Sequence, residues 1–131
     1  MSVEHLNRQI AQLARATDRL EAVLQQPKDE FMRDSAIQRF EFCFELSWKV
    51  LKSYLEEQGL EARSPRESIR GAFTTGLLPN DPDWLAMTEL RNLSSHTYNE
   101  RLAERVYAEL PACLGRFRDL LERLSAQGYG T

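Results

Sequence analysis

The chain has 131 residues, of which 42% are hydrophobic and 28% charged, and its formal net charge is −3. This composition argues against intrinsic disorder and predicts one folded domain over residues 1–131 with its own core. The mildly acidic balance disfavours broad, sequence-blind nucleic-acid binding, which needs a basic field, but leaves room for a local basic cleft. No run of about 20 apolar residues occurs, so no membrane span is expected. The opening Met1-Ser2-Val3-Glu4-His5 lacks a charged-then-apolar signal pattern, and the expected location is the cytoplasm. Cys43 and Cys113 are the only cysteines, both inside amphipathic patterns, so buried thiols rather than a disulfide are expected. Metal-ligand spacing of Cys and His is absent, and neither a metal nor a cofactor is expected.

Val3, Leu6, Ile10, Leu13, Thr17, Leu20 and Leu24 alternate steps of three and four, predicting a helix with a narrow apolar seam that stops before Pro27. A second helix is expected from Asp29-Glu30 to about Gln58, with Gly59 as its left-handed cap. Ile37, Phe40, Phe44, Trp48, Leu51 and Leu55 make one apolar face of it, and Phe42, Leu46 and Val50 a second, which places this helix at the centre of the fold. Glu41, Glu45 and Lys49 step by four between those faces. They fit either an intrahelical Glu45–Lys49 ion pair or the lining of a polar cleft.

Ser64-Pro65-Arg66-Glu67 starts a short third helix, with Ser64 as N-cap, Pro65 at the first helical position and Glu67 completing a capping box; Gly76 closes it. Arg63, Arg66 and Arg70 fall roughly on one side, either solvated and salt-bridged or available to phosphate. Asp81-Pro82-Asp83 starts a fourth helix by the same logic. A fifth begins after Asn99 and keeps helical spacing from Leu102 to near Gln127, with Pro111 expected to kink it. No segment alternates with period two over a strand's length. The predicted fold is an all-α, up-and-down bundle of five helices, three long and two short.

The fourth helix leads into Arg91-Asn92-Leu93-Ser94-Ser95-His96-Thr97-Tyr98. Five residues of ideal helix turn by about 140°, and a helix end near Ser94–Ser95 brings the His96 ring further round towards Arg91. Histidine moves protons near neutral pH, and arginine holds phosphate oxygens through a fork of donors. The pair fits metal-independent RNA cleavage, with His96 acting on the 2′-hydroxyl or the leaving oxygen and Arg91 stabilising charge on phosphorus. Such chemistry often uses an acid and a base, which a two-fold dimer pairing two His96 residues would supply. The structural alternative is that Arg91 and His96 bond the last carbonyls of the helix and Tyr98 is a half-buried packing residue with a wet hydroxyl.

Arg91-Asn-Leu-Ser-Ser-His96-Thr-Tyr98 resembles the Arg-x4-His-x-Tyr motif of HEPN-domain proteins of the HepT type. The run from Asp34 to Lys49 is similar to the central helix of their nucleotidyltransferase substrate-binding branch, as is the stretch from Ser64 through Gly76 to Trp84. The resemblance implies a homodimeric helical bundle and a minimal nucleotidyltransferase as partner. In the toxin–antitoxin form it implies a ribonuclease acting on RNA, with Arg91 and His96 catalytic and Asn92 a supporting polar neighbour. The partner would neutralise it by transferring AMP to Tyr98, where the added bulk and negative charge obstruct RNA phosphate beside Arg91. The other view of the same branch makes the chain the substrate-binding subunit of a two-component nucleotidyltransferase. Glu45, Lys49, Arg66 and Arg70 are the residues considered for nucleotide or RNA contact. Nothing in the chain resembles the glycine-serine loop and paired aspartates of a nucleotidyltransferase active site.

Overall fold

The computed structural model describes residues 2–130, and its elements are five helices: α1 (Val3–Leu24), α2 (Glu30–Glu57), α3 (Pro65–Thr75), α4 (Pro82–Ser94) and α5 (Glu100–Ala126). Each starts on a side chain that accepts an otherwise orphaned backbone N–H. Ser2 caps α1, Asp29 α2, Ser64 α3, Asp81 α4 and Asn99 α5. The capping box of α3 is shifted by one residue: Ser64 accepts from Glu67 N–H, but Glu67 accepts from Arg63 N–H rather than from Ser64. Gly76 ends α3 at φ 81°, a left-handed conformation that a Cβ would disfavour.

The result is the expected all-α, up-and-down bundle, with α2 packed against all four other helices. Phe40 of α2 meets Phe117 of α5 at 6.3 Å between ring centroids, and Phe117 meets Trp84 of α4 edge-on at 6.2 Å. These rings are fully buried, and burying each contributes about 1.5–3 kcal/mol, so they fix where α4 crosses the bundle. α3 approaches α2 closely because Gly71 leaves space for Leu55. Cys43 and Cys113 are buried and unbridged; desolvation pushes both thiols up to about 12, which suppresses the reactive thiolate. No helix among the described residues is long and apolar enough to cross a membrane.

Two expectations for α2 need correction. The second apolar face is incomplete: Val50 is buried, but Leu46 is half-buried and Phe42 is 45% exposed with the Arg39 guanidinium over its ring. The central position of α2 comes instead from Ala36, Cys43, Ser47 and Tyr54, which widen the first face. Trp48 is likewise only half-buried, its indole N–H donating to Glu45 at 3.1 Å.

Candidate functional site

Arg91 lies in the last turn of α4, where a cation is favoured by the helix dipole. Its Nη1 donates to Glu41 Oε2 at 2.9 Å and to Ser94 Oγ at 3.2 Å. Ser94 Oγ contacts the same Glu41 oxygen at 2.5 Å and the Arg91 carbonyl at 2.6 Å, locking the three groups together. Arg91 Nε is buried without a hydrogen-bond partner, its nearest carboxylate being Glu45 Oε1 at 3.6 Å. The guanidinium is thus held from one side by two α2 carboxylates, and its Nη2 donates to no partner among the described residues.

The intrahelical Glu45–Lys49 pair does not form: Glu41 and Glu45 both face Arg91 of α4, Glu45 also accepts from the Trp48 indole, and Lys49 has no ion pair among the described residues. The reason is that α4 crosses α2 here and supplies a guanidinium, a better-matched partner for carboxylates than a flexible lysine on the same helix.

α4 ends at Ser94, and residues 95–98 form turns that deliver the chain to Asn99, the cap of α5. His96 N–H donates to the Leu93 carbonyl and Asn99 N–H to the His96 carbonyl, so the backbone is ordered while the side chains stand out. His96 is exposed, and its ring meets Tyr98 edge-on, with centroids 6.0 Å apart. Tyr98 is 85% exposed, which overturns the half-buried packing reading. Helical continuation to Tyr98, which would have put it on the Arg91 side by rotation alone, does not occur. Asn92 is exposed on the final turn of α4.

The remaining candidates lie apart. Arg66 is ion-paired with Glu89 of α4, and Arg70 is exposed with no ion pair among the described residues. Arg63 pairs with Glu61, both side chains being exposed.

One residue that holds the turn in place was not singled out from sequence. Arg33, with a side chain 4% exposed, donates Nη1 to Glu100 at 2.6 Å and to Glu104 at 3.0 Å, and Nε to Asp34 at 2.9 Å. The hydrogen bonds it donates to Glu100, Asp34 and Glu104 raise its already high pKa further, and the Arg33 guanidinium holds the Glu100 carboxyl below its ordinary value. The clamp fastens the first turn of α5, directly after Tyr98, to the start of α2. The signal was present: Arg33 occupies the core register shared by Ile37, Phe40 and Phe44, where an unpaired charge would not persist.

The fold is an all-helical bundle with an arginine anchored at the end of α4 and a histidine and a tyrosine exposed on the following turn. Residues 2–126 match the model of the family described as nucleotidyltransferase substrate binding protein like, and the chain belongs to that family. It is 36% identical over 94 residues to a Haemophilus influenzae protein named "Probable ribonuclease HepT", a match that covers 68% of this chain and 64% of that relative. A solved structure from Thermus thermophilus is similar at TM-score 0.80 and 39% identity, covering 86% of this chain and 98% of that one. A second, from Haemophilus influenzae, is described as the fold of a substrate binding domain of a nucleotidyltransferase. It is similar at TM-score 0.68 and 28% identity, covering 95% and 99%. The resemblance to the HepT-like family agrees with these relatives.

Proposed function

We propose that the chain is a HepT-like, metal-independent ribonuclease that works as a homodimer and is neutralised by a partner nucleotidyltransferase. The observation that carries this reading is the contrast within residues 91–98. Arg91 is pinned by Glu41 and Ser94, whereas His96 and Tyr98 face solvent on one ordered turn. A packing segment has no need to fix a guanidinium while exposing an imidazole and a phenol a few residues further on.

In this reading the RNA 2′-oxygen attacks the adjacent phosphorus and the bond to the 5′-oxygen breaks. The products are a 2′,3′-cyclic phosphate and a free 5′-hydroxyl. His96 takes the 2′-proton or gives one to the leaving oxygen, with the second His96 of a dimer filling the other role. The Nη2 face of Arg91 stabilises the charge on phosphorus. Neutralisation is a nucleotidyl transfer: the Tyr98 phenolic oxygen bonds to the α-phosphorus of ATP, pyrophosphate leaves, and the phenolic proton goes to solvent. The resulting phosphodiester sets a negative charge near the arginine that RNA phosphate would use.

The family's description and the name of the second solved relative favour another reading, a non-catalytic substrate-binding subunit of a two-component nucleotidyltransferase. Cleavage of RNA in the presence of a chelator separates them. The ribonuclease reading expects cleavage that His96→Ala abolishes; no cleavage by the unmodified wild type, or cleavage that survives the substitution, refutes it.

A further inference from the structure

Away from Arg91, α1 and α2 border an open groove of about 560 Å³ lined by Arg15, Ala16, Asp18, Arg19 and Arg39. Arg15, Arg19 and Arg39 make no ion pair among the described residues, whereas the one carboxylate there, Asp18, is held by Arg118 at 2.9 Å. Arg118 is itself bonded to Glu21, so the groove keeps three uncompensated guanidiniums in a protein whose net charge is −3. Beside it stands Phe42, 45% exposed, with Arg39 Cζ 5.8 Å from its ring centroid. An exposed phenyl on a charged helix gains nothing from water, and a guanidinium held over it leaves part of the ring free to stack.

At about 100° per residue, Phe42 lies roughly 100° around α2 from Glu41, and Arg39 about 160°. On a helix about 10–12 Å across, the path over its surface from the Arg91 anchor to Arg39 is about 15 Å, with Phe42 on the way. Unpaired cations with an exposed aromatic platform beside them are the chemistry that holds a single-stranded polynucleotide. We propose that the Arg15–Arg19–Arg39 groove and Phe42 bind single-stranded RNA and lead it across α2 to the turn that carries His96. The arginines take backbone phosphates and Phe42 stacks on a base. For the sugar of the ligand this rests on the ribonuclease reading; binding itself does not.

The test is fluorescence anisotropy with labelled oligouridylate and oligodeoxythymidylate of about 12 nucleotides, the range such surfaces cover, on the full chain at several salt concentrations. Wild type is expected to bind both. Arg15→Ala with Arg19→Ala lowers the salt slope by about 1.4, at about 0.7 per phosphate contact on a single strand. Arg39→Glu weakens binding at least tenfold, and Phe42→Ala weakens it about fivefold or more with the slope unchanged. Unchanged affinity and slope in the folded double variant overturn the proposal. So does a change in sedimentation without a change in affinity, which would make this face an interface between copies. Binding of both oligomers without cleavage of the RNA leaves the groove standing and removes the ribonuclease reading. Cleavage at equal kcat/KM by all variants does the reverse.

Discussion

Replacing Glu41 tests how the guanidinium of the site is held. Its carboxylate accepts from Arg91 Nη1 and Ser94 Oγ, with the Glu41 and Arg91 side chains 24% and 31% exposed. A hydrogen bond to a charged group contributes about 1.5–3 kcal/mol when buried, and partial exposure and the nearby Glu45 reduce this, so Glu41→Ala is expected to cost about 1–2 kcal/mol in all. At about 2.1 cal/mol/K of unfolding entropy per residue, a chain of 131 residues then loses about 4 to 7 °C in Tm. Glu41→Gln keeps an acceptor and loses only the charge, so its shift is about half as large. RNA cleavage falls about tenfold in kcat for Glu41→Ala, because the released guanidinium no longer waits at the reacting phosphate. Differential scanning calorimetry and single-turnover cleavage read the two effects. A Tm and a cleavage rate both within error of wild type in Glu41→Ala would refute the anchoring argument.

Three further outcomes follow from packing and charge. The Glu100 and Glu104 carboxyls are held below the ordinary 4.5 by their cationic partners, Arg33 foremost for Glu100 and Lys28 ahead of Arg33 for Glu104. Their contribution is present above that value and is lost as pH falls through the lower folded values. Arg33→Met is therefore expected to be less stable near neutral pH and to show a shallower loss below pH 4.5, read by denaturant melts across that window. At Gly71 an added Cβ would meet the buried Leu55 Cδ1 at 2.5 Å, so Gly71→Ala costs about 1–3 kcal/mol by overpacking, offset in part by about 0.5–1 kcal/mol of helix propensity. Gly115 in α5 has open space around it, so Gly115→Ala stabilises by about 0.5–1 kcal/mol through helix propensity; urea melts of the pair should shift in opposite directions.

Helix existence and boundaries were legible because they are local. Asp29, Ser64, Asp81 and Asn99 each bond N–H groups two or three residues on, and Gly76 adopts the left-handed form that its position demands. What crosses a helix is not local. The four-residue step of Glu41, Glu45 and Lys49 left open a pair within α2 or a polar lining, and the partner came from α4, 50 positions along the chain from Glu41. Phe42 had the spacing of a core residue, yet no helix covers that arc of α2. The motif at 91–98 was visible as chemistry, while the exposure of Tyr98 was not, because the helix ends at Ser94 and rotation cannot be extrapolated past that end.

In the proposed function, the segment from Arg91 to Tyr98 contains both a cleaving site and the residue that silences it. The most direct measurement follows one sample by intact mass and RNA cleavage while the partner nucleotidyltransferase and ATP act on it. AMP is expected to appear on Tyr98, with cleavage falling in proportion to the modified fraction, and Tyr98→Phe is expected to gain no mass and stay active. Full cleavage by fully modified protein, or equal labelling of Tyr98→Phe, would contradict it.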